Sequence, residues 1–353
     1  MITKAQEKSL VFLRSLPNTF NKGPNITSSQ PLRGISLFSG GGSLDRGPEE
    51  GGAVVFNSAV DFSEYAIYTQ QANSKNPEAM CLFCGSVDDH FNAALKGNNP
   101  QVVPRVGEVD FIAAGSPCPG FSLLQRNPFS EQSLRNASHI TTFCSYAHLY
   151  RPLYGVLENV VNMASTRVRY KDQNVLSQVV ACLVSIGYQC NQYIKDAWSY
   201  SSAQQRSRLI LTIAAPGLKP IAQPWHTHAR PLEETAGKSL GRLPNRGRLG
   251  EREYYPTPFA YVPASTVSDE LPDIRPGVMQ TCIPFPDYRV PRISTRKQRA
   301  LVKCIPTQPP GCSYREADQS GLIPTLLKDL RTEAGRAYRR IKAKGPLLNW
   351  PTV

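Results

Sequence analysis

No run of apolar residues in this chain approaches the roughly 20 that a membrane-spanning helix requires, so no membrane partner is expected. The opening Met1–Leu16 mixes Lys and Glu into its apolar residues and lacks the continuous core of a signal peptide. Acidic residues are the scarcer charge, 27 against 40 basic, for a formal net charge of +13. Charged residues make up only 19% of the chain against 41% hydrophobic, which excludes wholesale disorder. Cysteine is confined to nine scattered positions, an odd count that argues against a disulfide framework. Cys81 and Cys84 form one CxxC, but no second pair follows at zinc-finger spacing, and His90 would be a third ligand without a fourth. Two ordinary thiols and no metal are expected.

What the chain does have is length and an uneven charge. Its 353 residues suffice for two domains, or for one domain with a large insertion. Residues 1–214 hold 18 basic and 15 acidic side chains, a net of +3; residues 215–353 hold 22 and 12, a net of +10. Positive charge gathered on one part of a protein favours a polyanion, and nucleic acid is the commonest. A solvated basic surface that aids solubility would give the same numbers.

Organisation follows from periodicity. Residues 1–31 read as an N-terminal extension and linker, rich in Gly, Pro, Ser and Asn after Pro17. Residues 32–215 alternate strands and helices. Strands are expected at Gly34–Phe38, Ala53–Val60, Val109–Ala114 and Tyr154–Leu157, with a closing pair at Tyr188–Lys195 and Leu209–Ala214. Helices are expected at Phe62–Ala72, over Ala137–Tyr150, and along the face marked by Val175, Leu176, Val179, Val180 and Leu183. Such alternation signals an α/β fold with a doubly wound, mostly parallel sheet. After Pro216 prolines crowd, apolar periodicity fades and Arg-rich turns appear, so residues 216–353 form a second, irregular domain.

In an open parallel sheet ligands bind beyond the carboxyl ends of the strands, and three clusters fall there. Phe38-Ser39-Gly40-Gly41-Gly42-Ser43 follows the first strand, where glycines let a ligand approach the backbone. Asp61 ends the second strand and could accept both hydroxyls of a ribose. The loop is not GxGxxG, so a mononucleoside fits better than a dinucleotide; a tight turn with a helix-capping Asp is the plainer alternative. Next, Pro117-Cys118-Pro119 holds a thiol on a stiff loop after the third clear strand, a setting that can lower a thiol pKa and fix its aim. Finally, Glu158-Asn159-Val160 ends the following strand, which brings a carboxyl group towards that thiol. Singly, each is an ordinary turn, cysteine or cap; the combination carries the weight.

Taken in order, these residues resemble the motif series of DNA (cytosine-5) methyltransferases. Phe38–Gly42 is similar to the family's cofactor loop, Gly115–Ser122 to its catalytic loop, Glu158-Asn159-Val160 to its Glu-Asn-Val motif, and Gln204-Gln205-Arg206-Ser207-Arg208 to its Gln-x-Arg-x-Arg. The resemblance covers roughly residues 32–345 and is closest to the fungal enzymes that methylate repeated DNA, which the segments Glu49–Ala53, Val106–Phe111 and Asp196–Tyr200 also resemble. It implies a Rossmann-like domain dependent on S-adenosylmethionine, with residues 216–353 as the target-recognition region. Cys118 would be the nucleophile that adds to cytosine C6, Glu158 would hold the base edge, and Arg206 and Arg208 would orient the base. Phe38, Ser39, Gly40, Gly42, Asp61, Phe62, Ser86, Val87 and Pro117 would bind the cofactor, with Ser86 standing where many relatives have Asp. Gln204, Arg246 and Arg248 would meet the substrate, a base flipped out of the duplex.

The resemblance further implies double-stranded DNA and chromatin-associated recruiting proteins as partners, and a nuclear location. Pro48 falls inside the first expected helix, where it removes a donor, and Ser201 and Ala203 stand where the family usually shows Gly and Pro. Relatives continue with two further motifs beyond the point reached by Tyr338–Ile341 and Gly345-Pro346, so a truncated scaffold is expected. The alternative function is therefore that of a truncated or inactive homologue acting at most as a DNA- or chromatin-binding protein.

Overall fold

The computed structural model describes residues 30–118, 121, 130–164, 174–229, 241–242, 248–249 and 257–268. A seven-stranded sheet is built from strands between Leu32 and Ala214. Its strands are β1 (Leu32–Leu37), β2 (Val54–Asp61), β3 (Cys81–Cys84), β4 (Phe111–Gly115), β5 (Tyr154–Val160), β6 (Gln189–Asp196) and β7 (Ser207–Ala214). In space they run β3-β2-β1-β4-β5-β7-β6. The pairs among β1 to β5 are all parallel, whereas β7 lies antiparallel between β5 and β6. Because the order reverses outward from β1 and β4, the carboxyl ends of the parallel strands open a crevice along one edge.

The helices are α1 (Ser43–Glu50), α2 (Glu64–Asn73), α3 (Val87–Lys96), α4 (Glu131–Ser138), α5 (Ile140–Tyr150) and α6 (Val175–Ser185). Four of the six starts are capped by a side chain: the hydroxyls of Ser63, Ser86 and Ser130 and the amide oxygen of Asn174 accept hydrogen bonds from the first turns of α2, α3, α4 and α6. The larger core lies under α5 and α6, where Ile35, Leu37, Ile112 and Leu211 meet Phe143, Tyr146, Tyr150, Val179 and Leu183. A smaller cluster, Val54, Phe56, Phe111 and Ala113 with Leu44, Val156 and Ile221, covers the opposite face.

Strand alternation settles which side chains reach the crevice. In β5, Gly155, Leu157 and Asn159 are buried while Val156, Glu158 and Val160 are only partly so. A slip of one residue would bury Glu158 and expose Asn159.

Several sequence expectations shift. Helical spacing over Ala137–Tyr150 divides at His139 into α4 and α5. β5 runs three residues past Leu157, because β7 pairs with it as far as Val160 opposite Arg208. The sequence reading passed over β3 and α3: four residues of CLFC give too short a pattern to separate strand from loop. α1 keeps its helical path through Pro48, since the helix ends two residues later and loses one hydrogen bond only.

Cys81 and Cys84 stand three apart on β3, opposite Ser58 and Asp61, so their side chains leave opposite faces of the strand. Among the described residues no group of three or more His, Cys, Asp or Glu could hold a metal ion. His90 is buried with Nδ1 2.7 Å from the Tyr146 hydroxyl, and burial pushes its pKa down to about 4.

The chain divides into two units, Met1–Val262 and Pro263–Val353. In the first, the segment after β7 stays against the sheet: Tyr154 donates to the Lys219 carbonyl, Tyr193 to that of Ile221, and Thr227 and His228 N–H groups to that of Ser199. A two-stranded ribbon pairs β8 (Gly241–Arg242) with β9 (Arg248–Leu249). The second unit is described over its first six residues, which include α7 (Ser265–Ser268).

Candidate active site

The crevice is built from four strand ends. β1 gives way at Phe38, whose backbone has φ 54°, and the chain turns through Gly40 (φ 54°) and Gly42 (φ 81°) before α1 begins. Only glycine meets the demand at Gly42: an added Cβ would lie 2.2 Å from Gln70 Oε1. The loop is pinned to β2 by two bonds, Ser39 N–H to the Val60 carbonyl at 3.2 Å and Gly40 N–H to Asp61 Oδ2 at 2.9 Å. Asp61 Oδ1 accepts from Ser63 N–H, so the carboxylate is held at the strand end with lone pairs to spare.

Around it lie groups that lack protein partners. Phe62 is 84% exposed, and the buried Ser39 hydroxyl has no hydrogen-bond partner. The Phe38 ring meets His139 edge-on at 5.8 Å. Ser86 caps α3 through its hydroxyl, and Val87 belongs to the core, its carbonyl accepting from Tyr146.

Beneath the glycine loop, Asp45 is almost wholly buried and accepts from the Ser36 hydroxyl at 2.8 Å and the Gln70 amide at 2.9 Å. Burial, the largest cause, raises its pKa to about 7.

β4 and β5 end side by side. Gly115 pairs in register with Glu158, and a point one carbon out from Gly115 is 3.9 Å from both Glu158 Oε2 and the Phe38 carbonyl. The ends of β1, β4 and β5 therefore converge. From Gly115 the chain continues through Ser116 and Pro117 to Cys118, which is a free, exposed thiol. Asn159, on the buried face, donates from its amide to the Ser116 hydroxyl at 2.8 Å and the Ser116 carbonyl at 3.2 Å, while its own oxygen accepts from Val160 N–H. Asn162 likewise donates to the Phe121 carbonyl at 2.7 Å. The two ends of the Cys118 turn are thus tied to the strand that bears Glu158 and to the 3-10 turn that follows it.

Arg208 completes the cluster from β7. Its Nε lies 2.7 Å from Glu158 Oε1, and Arg206 Nη2 reaches the same oxygen at 3.8 Å. Glu158 Oε2 is left towards the crevice side. The exposed Gln204 amide donates to the Ser202 hydroxyl at 3.2 Å. Arg246 lies outside the described residues, and Arg248 is placed on β9 by its backbone alone.

Of the residues singled out in the sequence, the structure gathers Phe38, Ser39, Gly40, Gly42, Asp61 and Phe62 at one end of the crevice. Pro117, Cys118, Glu158, Arg206 and Arg208 gather at the strand ends beside it. Sequence reasoning missed the tethering role of Asn159, although the residue stood inside a quoted motif; its burial follows from strand alternation. It also passed over Asp45, whose polar side chain in a short helix gave no sign of burial.

A doubly wound sheet with one antiparallel strand, a glycine loop pinned to an acidic strand end, and an exposed thiol on a turn tied near an arginine-bound carboxylate define an α/β protein with a candidate active site at its strand ends. Residues 32–262 match the family of C-5 cytosine-specific DNA methylases, and the chain belongs to that family. It is 30% identical over 249 residues to DNA (cytosine-5)-methyltransferase 1 of Gallus gallus, a match covering 70% of this chain and 16% of that protein. To DNA (cytosine-5)-methyltransferase PliMCI of Paracentrotus lividus it is 28% identical over 265 residues, 73% of this chain and 16% of that protein. The matched region thus spans about one sixth of these relatives. Among solved structures, the Dnmt2 methyltransferase of S. pombe aligns at a TM-score of 0.36 and 16% identity, covering 56% of this chain and 52% of that one.

Proposed function

We propose that this chain methylates C5 of cytosine in DNA, taking the methyl group from S-adenosylmethionine and passing through a covalent bond between Cys118 and C6 of a flipped base. The observation that carries the reading is the register of Gly115 with Glu158, which sets the Cys118 turn and an arginine-held carboxylate at adjacent strand ends.

The loop and its neighbours fit such a donor. An exposed aromatic ring next to an acidic strand end suits an adenine and its ribose, and the unpartnered Ser39 hydroxyl lies in the loop where a polar ligand group would pass. Asp61 would take the ribose hydroxyls, Phe62 and the Ser86–Val87 segment would flank the adenine, and Phe38, Ser39, Gly40, Gly42 and Pro117 would enclose the methionine end. Bound there, S-adenosylmethionine supplies an electrophilic methyl group on a sulfonium sulfur.

The chain's own residues do the rest. The Cys118 thiolate forms a bond to C6, and the C5–C6 π electrons move to C5, which becomes nucleophilic. Glu158 accepts from the exocyclic amine and holds a proton at N3, which stabilises charge developing in the ring. Arg208 fixes Glu158 by a charge-assisted bond, and Arg206 adds a second positive group beside it. Once C5 carries the methyl group, its proton leaves to a base and the electron pair re-forms the C5–C6 double bond, expelling the thiolate. The base must be flipped because C5 and C6 are out of reach in a stacked duplex.

Gln204 and the basic residues 216–353, Arg246 and Arg248 among them, would act as the target-recognition region, with phosphate contacts that position DNA without reading its sequence. A nuclear location, recruitment by chromatin-associated proteins and a likeness to the fungal enzymes of repeated DNA belong to the same reading. The test is transfer of a labelled methyl group from S-adenosylmethionine to cytosine-containing duplex DNA by this chain and by Cys118→Ala. Label from the parent alone is expected, with DNA binding retained in the variant. No label from a folded parent would favour a homologue that only binds DNA.

A further inference from the structure

The sheet edge beside Glu158 carries a third cation that the reaction above does not use. Lys195 is the next-to-last residue of β6 and pairs directly with Arg208 of β7, which in turn pairs with Val160 of β5. Directly opposed residues of antiparallel strands share a face, with Cβ atoms about 4.5–5.5 Å apart. Lys195 and Arg208 are therefore neighbours on the face that presents Glu158.

Yet Lys195 makes no ion pair among the described residues. Its ammonium donates to the Tyr200 hydroxyl at 2.9 Å and lies 5.2 Å from the Tyr193 ring centre and 5.3 Å from that of Tyr200. Tyr200 in turn donates its proton to the Pro224 carbonyl at 3.0 Å, which turns its oxygen towards Lys195. Among the described residues one of its three N–H donors is used. Of the nearby carboxylates, Glu158 already serves Arg206 and Arg208, and buried Asp196 accepts from the Ser207 hydroxyl. On the Glu158 face three cations share one engaged carboxylate, since Asp196 leaves β6 on the other face. Burial without a counter-charge lowers the Lys195 pKa to about 8, so an arriving anion would stabilise it.

A second observation points to the same class of ligand. Trp225 follows Pro224 and precedes His226, whose ring meets Tyr200 edge-on at 5.6 Å. The backbone just beyond is pinned by two bonds to the Ser199 carbonyl. On this held segment the Trp225 ring is 84% exposed. An exposed indole next in the chain to Pro224, whose carbonyl holds Tyr200, together with an ammonium that meets no carboxylate among the described residues, matches a nucleotide, which offers a phosphate and a flat face together.

We propose that Lys195 contacts a DNA phosphate flanking the target cytosine and that Trp225 packs on the neighbouring nucleotide, with Tyr200 positioning the lysine. The proposal rests on the DNA-methylating reading given above.

The test is equilibrium binding of a labelled cytosine-containing duplex to the full 353-residue chain across a salt series. Lys195→Met should reduce the slope of log affinity against log salt by about 0.9, the value for one released phosphate contact. Lys195→Arg should keep the slope. Trp225→Ala should weaken binding about tenfold, in line with one lost stacking contact, and leave the slope unchanged. Parent-like binding by Trp225→Ala would overturn the stacking half. An unchanged slope for Lys195→Met, in a chain that binds DNA, would overturn the lysine assignment alone. Absence of DNA binding by the folded parent would overturn both the assignment and the reading beneath it.

Discussion

Arg208 Nε sits 2.7 Å from Glu158 Oε1, a diagonal contact between β7 and β5 that exists because β7 runs antiparallel to its neighbour and begins where β5 ends. The pair is about one quarter exposed on each side, so its attraction is screened and its worth lies in aim more than in stability. A carboxylate so held has one oxygen fixed by the arginines, and the proposed function would use the other on the base edge.

Arg208→Lys should preserve the charge and lose the planar fork. Methyl transfer is expected to fall about 10²-fold in kcat with the melting temperature little changed. Steady-state kinetics beside thermal unfolding checks this; an equal loss of fold and activity would mean that the arginine serves the scaffold.

Asn159→Ala should release Ser116 and leave buried polar groups unpaired, at a cost of about 1–3 kcal/mol. Asn159→Asp keeps the shape and cannot donate to the Ser116 carbonyl, so both variants should slow transfer. Urea unfolding and single-turnover methylation separate the two effects.

Gly42→Ala should destabilise the chain by about 1–3 kcal/mol, through positive φ and the clash with Gln70. In a Gln70→Ala background the same change should cost less, because the clash is gone and the backbone strain remains. A double-mutant cycle in urea measures the difference.

Asp45 gives a pH signature. Its pKa is raised in the folded chain from 3.8 to about 7, so folding disfavours its charged form. Its contribution to stability is fully present below pH 3.8 and is lost as pH rises through about 7. Asp45→Asn should remove this slope. The new amide can donate to Gln70 Oε1, a buried oxygen that now lacks a partner, once the Gln70 amide turns over. Unfolding free energies at pH 5 and pH 8 should show the variant gaining on the parent at the higher pH. A constant difference would mean that Asp45 is already ionised in the folded chain at pH 5 and that burial does not raise its pKa.

Much of the sheet was legible in the sequence. Runs rich in apolar residues marked β1, β2, β4 and β7, and the turn residues after β1, β2 and β4 marked the crevice, because strands inside a covered sheet need apolar side chains. The Pro-Cys and Glu-Asn-Val motifs were likewise visible as strings. β3 was not, since four residues hold too little pattern, and neither was α4, whose residues Glu131–Ser138 are mostly polar.

The sequence alone determined which candidate groups are available: a thiol between two prolines, a carboxylate at a strand end, two arginines with one residue between them, and glycines after the first strand. Only the tertiary structure decided what they do to one another. Insertion of β7 between β5 and β6 put Arg208 on Glu158 and Lys195 beside Arg208, from stretches that in sequence lie tens of residues apart or face each other across a turn. Strand alternation sent Glu158 to the crevice and its neighbour Asn159 into the core. Both outcomes depend on register, which is fixed by the packing of two sheet faces at once and is written in no single segment of the chain.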